Sequence, residues 1–136
     1  EEVRAMGRSA AGVRGMRFRD SDFLVSCVVV NPEAMVLHLT TEGFGKRTEP
    51  SEFSVKGRGG LGVRGIRVTD RRGAVVGALV VGESDDVLAV TSSGKIIRLP
   101  VADISVQGRD ATGVRVMSPE EGERITALAP APADGD

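Results

Sequence analysis

The chain has 136 residues, of which 40% are hydrophobic and 27% are charged, and its formal net charge is −1. This composition is typical of one globular domain and excludes a disordered chain. No apolar run reaches the roughly 20 residues that a membrane-spanning helix requires, and the near-neutral charge argues against indiscriminate nucleic-acid binding.

The first predicted elements are a basic segment and an apolar strand. Residues 3–19 contain five arginines and no acid. The run "VSCVVV" (25–30) then predicts a strand in which Cys27 is buried. Because the only cysteine of the chain cannot form an internal disulfide, it agrees with a reducing compartment, and we expect a cytoplasmic location.

The run "MVLHLT" (35–40) predicts a second strand, with His38 on its solvent face. No second histidine or cysteine stands nearby in the sequence to complete a metal site. The turn "TEGF" follows, and only "PSEF" and, later, "PVADI" suit a short helical turn. The chain is therefore predicted to be all-β.

The middle of the chain is basic and rich in glycine. Residues 43–72 contain eight lysines and arginines against three acids, and "KGRGGLGVRG" (56–65) lies at their centre. Taken alone, this stretch suits a nucleotide-binding loop, a flexible linker or a surface for a polyanion. A nucleotide loop opens a helix; here a strand is predicted, with Arg64 and Arg67 pointing outward and a β-bulge or bend at Gly65, as at Gly15.

An internal repeat organises the whole chain. "GRSAAGVRGM", "GRGGLGVRGI" and "GRDATGVRVM" begin at Gly7, Gly57 and Gly108. In a second register, "TTEGFGKRTEPSEF" (40–53) matches "TSSGKIIRLPVADI" (91–104). Units of about 50 residues with about four strands each are the signature of propeller-like blades. We predict repeats at 7–56, 57–107 and 108–129, with blade boundaries near Gly57 and Gly108, and a flexible acidic tail at 130–136 that competes with phosphate for the basic segments.

The repeated "GVRxM" strand and "TSSGKIIRLPVADI" resemble the C-terminal domain of the DNA gyrase A subunit and the related topoisomerase IV domain. The resemblance implies a partial β-pinwheel over residues 1–129, built from the later blades of such a domain. The nearest match to the family's basic box, QRRGGKG, is residues 56–62, with Lys, Gly and Leu in place of Gln, Arg and Lys. A weaker match is residues 107–113.

The resemblance also implies a function. The chain would wrap or bend duplex DNA as an accessory, non-catalytic part of an ATP-dependent type II topoisomerase, without a cofactor. Its partners would be duplex DNA, the remaining blades of the A subunit and the gyrase B subunit. The chain has no tyrosine to act as a nucleophile. The absence of Trp and Tyr also argues against recognition of single strands by base stacking.

Wrapping requires a row of cations that meet phosphates, since the backbone is the same in every DNA sequence. Repeated arginines provide such a row, and glycines beside them let backbone N–H groups approach phosphate oxygens. The predicted DNA-binding residues are Arg8, Arg14, Lys46, Arg47, Lys56, Arg58, Gly59, Gly60, Arg64, Arg67, Lys95, Arg98, Arg109 and Arg115. Two alternatives stay open: solvated loop cations paired with nearby acids, and a protein-binding propeller fragment whose basic segments dock an acidic partner.

Overall fold

The described part of the chain, residues 4–132 of a computed structural model, contains seven β-strands and two turns of 3-10 helix. The strands are β1 (Met35–Thr40), β2 (Phe44–Thr48), β3 (Val75–Val81), β4 (Asp86–Thr91), β5 (Ile96–Pro100), β6 (Val114–Arg115) and β7 (Ile125–Pro130). The 3-10 turns are Pro50–Glu52 and Val101–Asp103, within the two segments predicted to allow one. The all-β prediction is confirmed. Residues 4–132 include no helix that could span a membrane.

Two equivalent hairpins form the centre of the fold. β1 pairs antiparallel with β2, from Val36 opposite Thr48 to Leu39 opposite Gly45, and β4 pairs with β5 in the same way. Their turns contain Gly43 and Gly94 at φ 86° and 85°. Because side chains disfavour this left-handed region, glycine at the same position of both turns explains why the two hairpins form alike.

Each sheet combines strands from different sequence repeats. The first sheet has the order β3-β1-β2-β6, and the second has the order β5-β4-β7. β3 and β7 therefore pair with the hairpin that precedes them in the chain, and β6 reaches back further to cover the edge of β2. The predicted blade boundaries near Gly57 and Gly108 are wrong, because strand pairing crosses both. A hairpin edge needs a hydrogen-bonding partner, and the later repeats supply it.

The hydrophobic core lies between the two sheets. Leu37 and Val87, from the inner strands of the two hairpins, are each 1% exposed and belong to one cluster. A second cluster joins Leu39, Ala89 and Ile125, and Leu99 packs against both clusters. Full burial of such a side chain contributes roughly 1.5–3 kcal/mol. The two sheets therefore stabilise each other through one continuous core.

Residues 25–30 form no strand, and the prediction of a strand with a buried thiol is wrong. Cys27 is exposed, and Val29 is 91% exposed. The counterparts of this run are β3 and β7, and each pairs with the hairpin one repeat earlier. Among the described residues, no hairpin pairs with residues 25–30 in this way, and the apolar side chains of the run stay exposed.

The end of the described chain is attached to the second sheet. Pro130 belongs to β7, the Ala131 N–H donates to the Asp86 carbonyl at 3.1 Å, and Arg98 donates to the Pro132 carbonyl at 3.3 Å. Residues 130–132 are thus not part of a flexible tail. Residues 133–136, the rest of the predicted acidic tail, lie outside the described residues.

Candidate nucleic-acid interface

Three Gly-Arg loops each carry one of the predicted cations: Arg8 in loop 1 (7–12), Arg58 in loop 2 (57–62) and Arg109 in loop 3 (108–113). The last glycine of each loop has a positive φ: 82° at Gly12, 78° at Gly62 and 80° at Gly113. At Gly113 a Cβ would also lie 2.8 Å from the Gly45 carbonyl oxygen. The repeated glycine is therefore required by backbone conformation, and in loop 3 also by close approach to β2.

Lys46 and Arg47 are buried, so the prediction that they contact phosphate is wrong. Lys46 is 0% exposed, and its Nζ donates to the carbonyls of Gly108 and Arg109 at 2.5 and 2.7 Å. Arg47 is 6% exposed, and its Nε donates to the Ile104 carbonyl at 2.6 Å. Desolvation lowers the pKa of Lys46, partly offset by Asp110. These side chains hold loop 3 and the segment before it.

At the first junction, loop 2 packs against residues 14–17. The Gly59 N–H donates to the Gly15 carbonyl at 2.9 Å, and the Arg17 N–H donates to the Gly60 carbonyl at 2.8 Å. The Arg17 Nε also donates to the Gly59 carbonyl at 2.6 Å. The Gly59 N–H, predicted to meet phosphate, is thus committed to the neighbouring chain segment. No salt bridge to Arg14 or Arg17 occurs among residues 4–132.

At the second junction, loop 3 packs against residues 64–67 with the same backbone bond, from the Arg67 N–H to the Ala111 carbonyl at 3.1 Å. Arg109 donates to the Arg64 carbonyl at 2.7 Å. Arg64 and Arg67 lie on either side of a bend at residues 65–66 and not on the predicted strand. Both form salt bridges with Asp110, at 2.9 and 2.6 Å. Their hydrogen bonds, that of Arg67 first, lower the pKa of Asp110.

Phe44 positions two further guanidinium groups. The Arg72 and Arg115 guanidinium carbons lie 4.7 and 4.6 Å from the centroid of its ring. Arg72 also donates to the Gly113 carbonyl at 3.1 Å. Such cation–π contacts orient an arginine while leaving its outer N–H groups able to bind an anion. Arg72 was not among the predicted contacts because it lies outside the repeated motif; a basic pair directly before a glycine turn was the available signal.

The remaining predicted cations fall into two groups. Arg8, Arg14, Lys56 and Arg58 are exposed. Lys95 and Arg98, on the second hairpin, form salt bridges with Glu120 and Asp86, both at 2.6 Å. The hydrogen bond from Lys95 to Glu120 raises the pKa of Lys95. The second hairpin therefore carries cations that are already paired with acids.

The prediction that His38 lies on the solvent face of its strand is wrong. Its ring stacks on Phe53 with centroids 6.1 Å apart, and its buried Nδ1 has no hydrogen-bond partner among the described residues. Burial, followed by the nearby charge of Lys46, lowers the pKa of His38 to about 4. His38 is buried because it lies opposite Lys46 in the β1–β2 hairpin and its ring packs against residue 65. Across residues 4–132, no group of three or more His, Cys, Asp or Glu side chains is placed to hold a metal ion.

Comparisons with known proteins agree with the repeat. The family model "DNA gyrase C-terminal domain, beta-propeller" matches residues 1–31, 34–82 and 85–132. The DNA gyrase A subunit of Mycolicibacterium smegmatis is 43% identical over 129 residues, which cover 95% of this chain and 15% of that protein. The DNA gyrase A subunit of Aminobacterium colombiense is 44% identical over 136 residues, covering 99% and 17%. The chain thus spans less than a fifth of these relatives.

Two solved structures have the same fold. A DNA gyrase A C-terminal domain has a TM-score of 0.84 at 29% identity, with 95% of this chain and 44% of that chain covered. A C-terminal domain of DNA topoisomerase IV has a TM-score of 0.84 at 27% identity, with 96% and 41% covered. The fold of the two sheets is therefore shared with larger domains of this kind.

Proposed function

Because the chain belongs to the family of DNA gyrase C-terminal β-propeller domains, we propose that it binds duplex DNA and wraps or bends it through sequence-independent contacts with the phosphate backbone. In this proposal the chain is a non-catalytic accessory part of a type II DNA topoisomerase and requires no cofactor. Residues 1–129 form a partial β-pinwheel, and the chain acts in the cytoplasm. Its protein partners are the remaining blades of the A subunit and the gyrase B subunit.

The observation that carries the proposal is the contact between successive Gly-Arg loops. Loop 2 hydrogen-bonds to the chain that follows loop 1, and loop 3 hydrogen-bonds to the chain that follows loop 2. Arginines at equivalent positions of the repeat are thereby brought onto neighbouring segments. Bending a duplex of 20–30 base pairs costs about 1–6 kcal/mol. A row of moderate phosphate contacts, one set for each repeat, suits that requirement better than a single strong site.

Burial and pairing divide the predicted contact residues. Lys46 and Arg47 support loop 3 from within and leave the proposed contact set. Lys95 and Arg98 have acidic partners, so they would bind phosphate only in competition with these. The proposed contacts that remain are the exposed Arg8, Arg14, Lys56 and Arg58, the half-buried Arg109 and the π-stacked Arg115, together with Arg17 and Arg72.

The test is the salt dependence of DNA affinity in the intact polypeptide that carries this chain. We expect similar affinities for three unrelated duplexes and a logarithmic salt slope that becomes shallower by about one unit for each phosphate-binding cation that is removed. Replacing Arg8 and Arg14 by Ala should flatten the slope by up to about two units for all three duplexes. Arg124→Ala, which removes one exposed charge outside the loops, is the control.

Two results would contradict the proposal. A loss of affinity confined to one duplex would indicate base recognition. Equal slopes for wild type and the Arg8/Arg14 variant would mean that these arginines are solvated. If duplex DNA fails to bind while polyglutamate binds with a steep salt slope, the basic segments serve an acidic protein partner instead.

A further inference from the structure

The two loop junctions repeat the same backbone contact but differ at one side chain. At the first junction, Arg17 donates its Nε to the backbone carbonyl of Gly59. At the second junction, Asp110 stands at the position that corresponds to Gly59 in the repeat, and Arg67, the counterpart of Arg17, donates to its carboxylate. Among residues 4–132, therefore, only the second junction has a carboxylate at this position of the repeat.

The Asp110 carboxylate bridges two guanidinium groups. Its Oδ1 accepts from Arg64 Nη1 at 2.9 Å, and its Oδ2 accepts from Arg67 Nη2 at 2.6 Å. All three side chains are about half exposed, at 53–57%. A phosphodiester also presents two oxygens, and it binds arginine through the same charge-assisted hydrogen bonds. The carboxylate thus occupies the position in which a DNA phosphate would bind both arginines at once.

Asp110 is held in this place by the loop around it. The buried Lys46 binds the carbonyls of the two residues before it, Gly108 and Arg109, at 2.5 and 2.7 Å. The Arg109 side chain donates to the Arg64 carbonyl at 2.7 Å. After Asp110, the Ala111 carbonyl accepts from the Arg67 N–H at 3.1 Å. The backbone that carries the carboxylate is therefore fixed on both sides, so the two salt bridges do not depend on the flexibility of an isolated surface side chain.

We propose that Asp110 is a built-in competitor of DNA phosphate at the second junction: it holds Arg64 and Arg67 as a bridged pair, and the DNA backbone must displace it to reach these two arginines. This inference rests on the proposed function and refines it. The first junction, where Gly59 brings no carboxylate, therefore holds DNA more strongly than the second junction does.

The experiment compares Asp110→Asn with wild type in the intact polypeptide, with a linear duplex of arbitrary sequence as the probe. Fluorescence anisotropy gives the dissociation constant at salt concentrations from about 0.05 to 0.3 M, the range over which screening of such contacts changes most. We expect Asp110→Asn to bind about two- to tenfold more tightly at the lowest salt, with a salt slope steeper by about one to two units, because one or two further phosphates are bound. Misfolding cannot imitate this result, since it would weaken binding.

Two controls isolate the local effect. Glu83→Gln makes the same change in net charge in the turn between β3 and β4, where Glu83 is exposed. Asp110→Asn placed in an Arg64→Ala/Arg67→Ala background removes the carboxylate where its two partners are absent. In both cases we expect only the small gain that follows from net charge, and Asp110→Glu should bind as wild type does.

A gain for Asp110→Asn that is no larger than the gain for Glu83→Gln would overturn the inference, as would a gain that persists without Arg64 and Arg67. Weaker binding by Asp110→Asn would also overturn it, because the salt bridges would then orient the arginines for DNA. These outcomes leave the proposed function intact, whereas failure of the wild-type protein to bind any duplex refutes that function itself.

Discussion

Replacing the buried Lys46 by Met is expected to loosen loop 3. The Lys46 Nζ donates to the Gly108 and Arg109 carbonyls, and no part of the side chain is exposed. Met keeps most of the apolar stem and removes the ammonium group. The two carbonyls then lose their charged donor in a place where water does not replace it freely.

The magnitude follows from the two hydrogen bonds that the substitution removes. Hydrogen bonds to a charged group contribute about 1.5–3 kcal/mol each, so two such bonds represent about 3–6 kcal/mol. Met offsets part of this, by about 1–2 kcal/mol, because no ammonium has to be desolvated. We expect the free energy of opening of loop 3 to fall by about 2–4 kcal/mol, which corresponds to amide exchange about 30- to 900-fold faster.

Hydrogen–deuterium exchange of the intact polypeptide measures this locally. The reporters are the amides of Gln107 and Ala111, which donate to the Arg47 and Gly108 carbonyls at 2.8 and 3.2 Å. Lys56→Met, which alters an exposed lysine ahead of loop 2, is the matched control and should change exchange by less than about threefold. If exchange in Lys46→Met stays within the range of that control, Lys46 does not anchor loop 3 and the reasoning fails.

Two further predictions concern pH and backbone conformation. Burial lowers the pKa of His38 from 6.5 to about 4; the folded state therefore resists protonation, and about 3 kcal/mol of stability present above pH 6.5 is lost as the pH falls through 4. Urea titrations at pH 7 and pH 4 should show a smaller loss for His38→Gln than for wild type, and equal losses would contradict the assignment. Gly113→Ala should destabilise the β2–β6 edge by about 2 kcal/mol or more, because its φ is 80° and a Cβ would lie 2.8 Å from the Gly45 oxygen. Gly57→Ala, which meets no atom within 4 Å, is the control, and equal melting temperatures for the two variants would refute the argument.

Local structure was largely predictable because it depends on short-range chemistry. The apolar runs 35–40 and 86–91 alternate with turn residues, and both became the first strands of hairpins. Glycine at positions 43 and 94 has the positive φ that such turns favour. The run 25–30 has equally strong strand composition but forms no strand, since a strand also requires a neighbour to pair with.

The internal sequence repeat by itself determined the kind of fold and the positions of the Gly-Arg loops. Glycines, arginines and apolar runs that recur at a fixed period specify the same local conformation each time. Only the tertiary structure decided which repeat supplies which strand of a sheet, since pairing partners are chosen by edges and core packing far apart in sequence. The tertiary structure also decided whether each cationic side chain is buried, paired with an acid or exposed. Lys46 and Arg64 are equally basic in the sequence, but the first is buried beneath loop 3 and the second is bridged by Asp110 at its surface. The availability of a charge to DNA depends on solvent and on neighbouring acids, and neither is encoded in the residue alone.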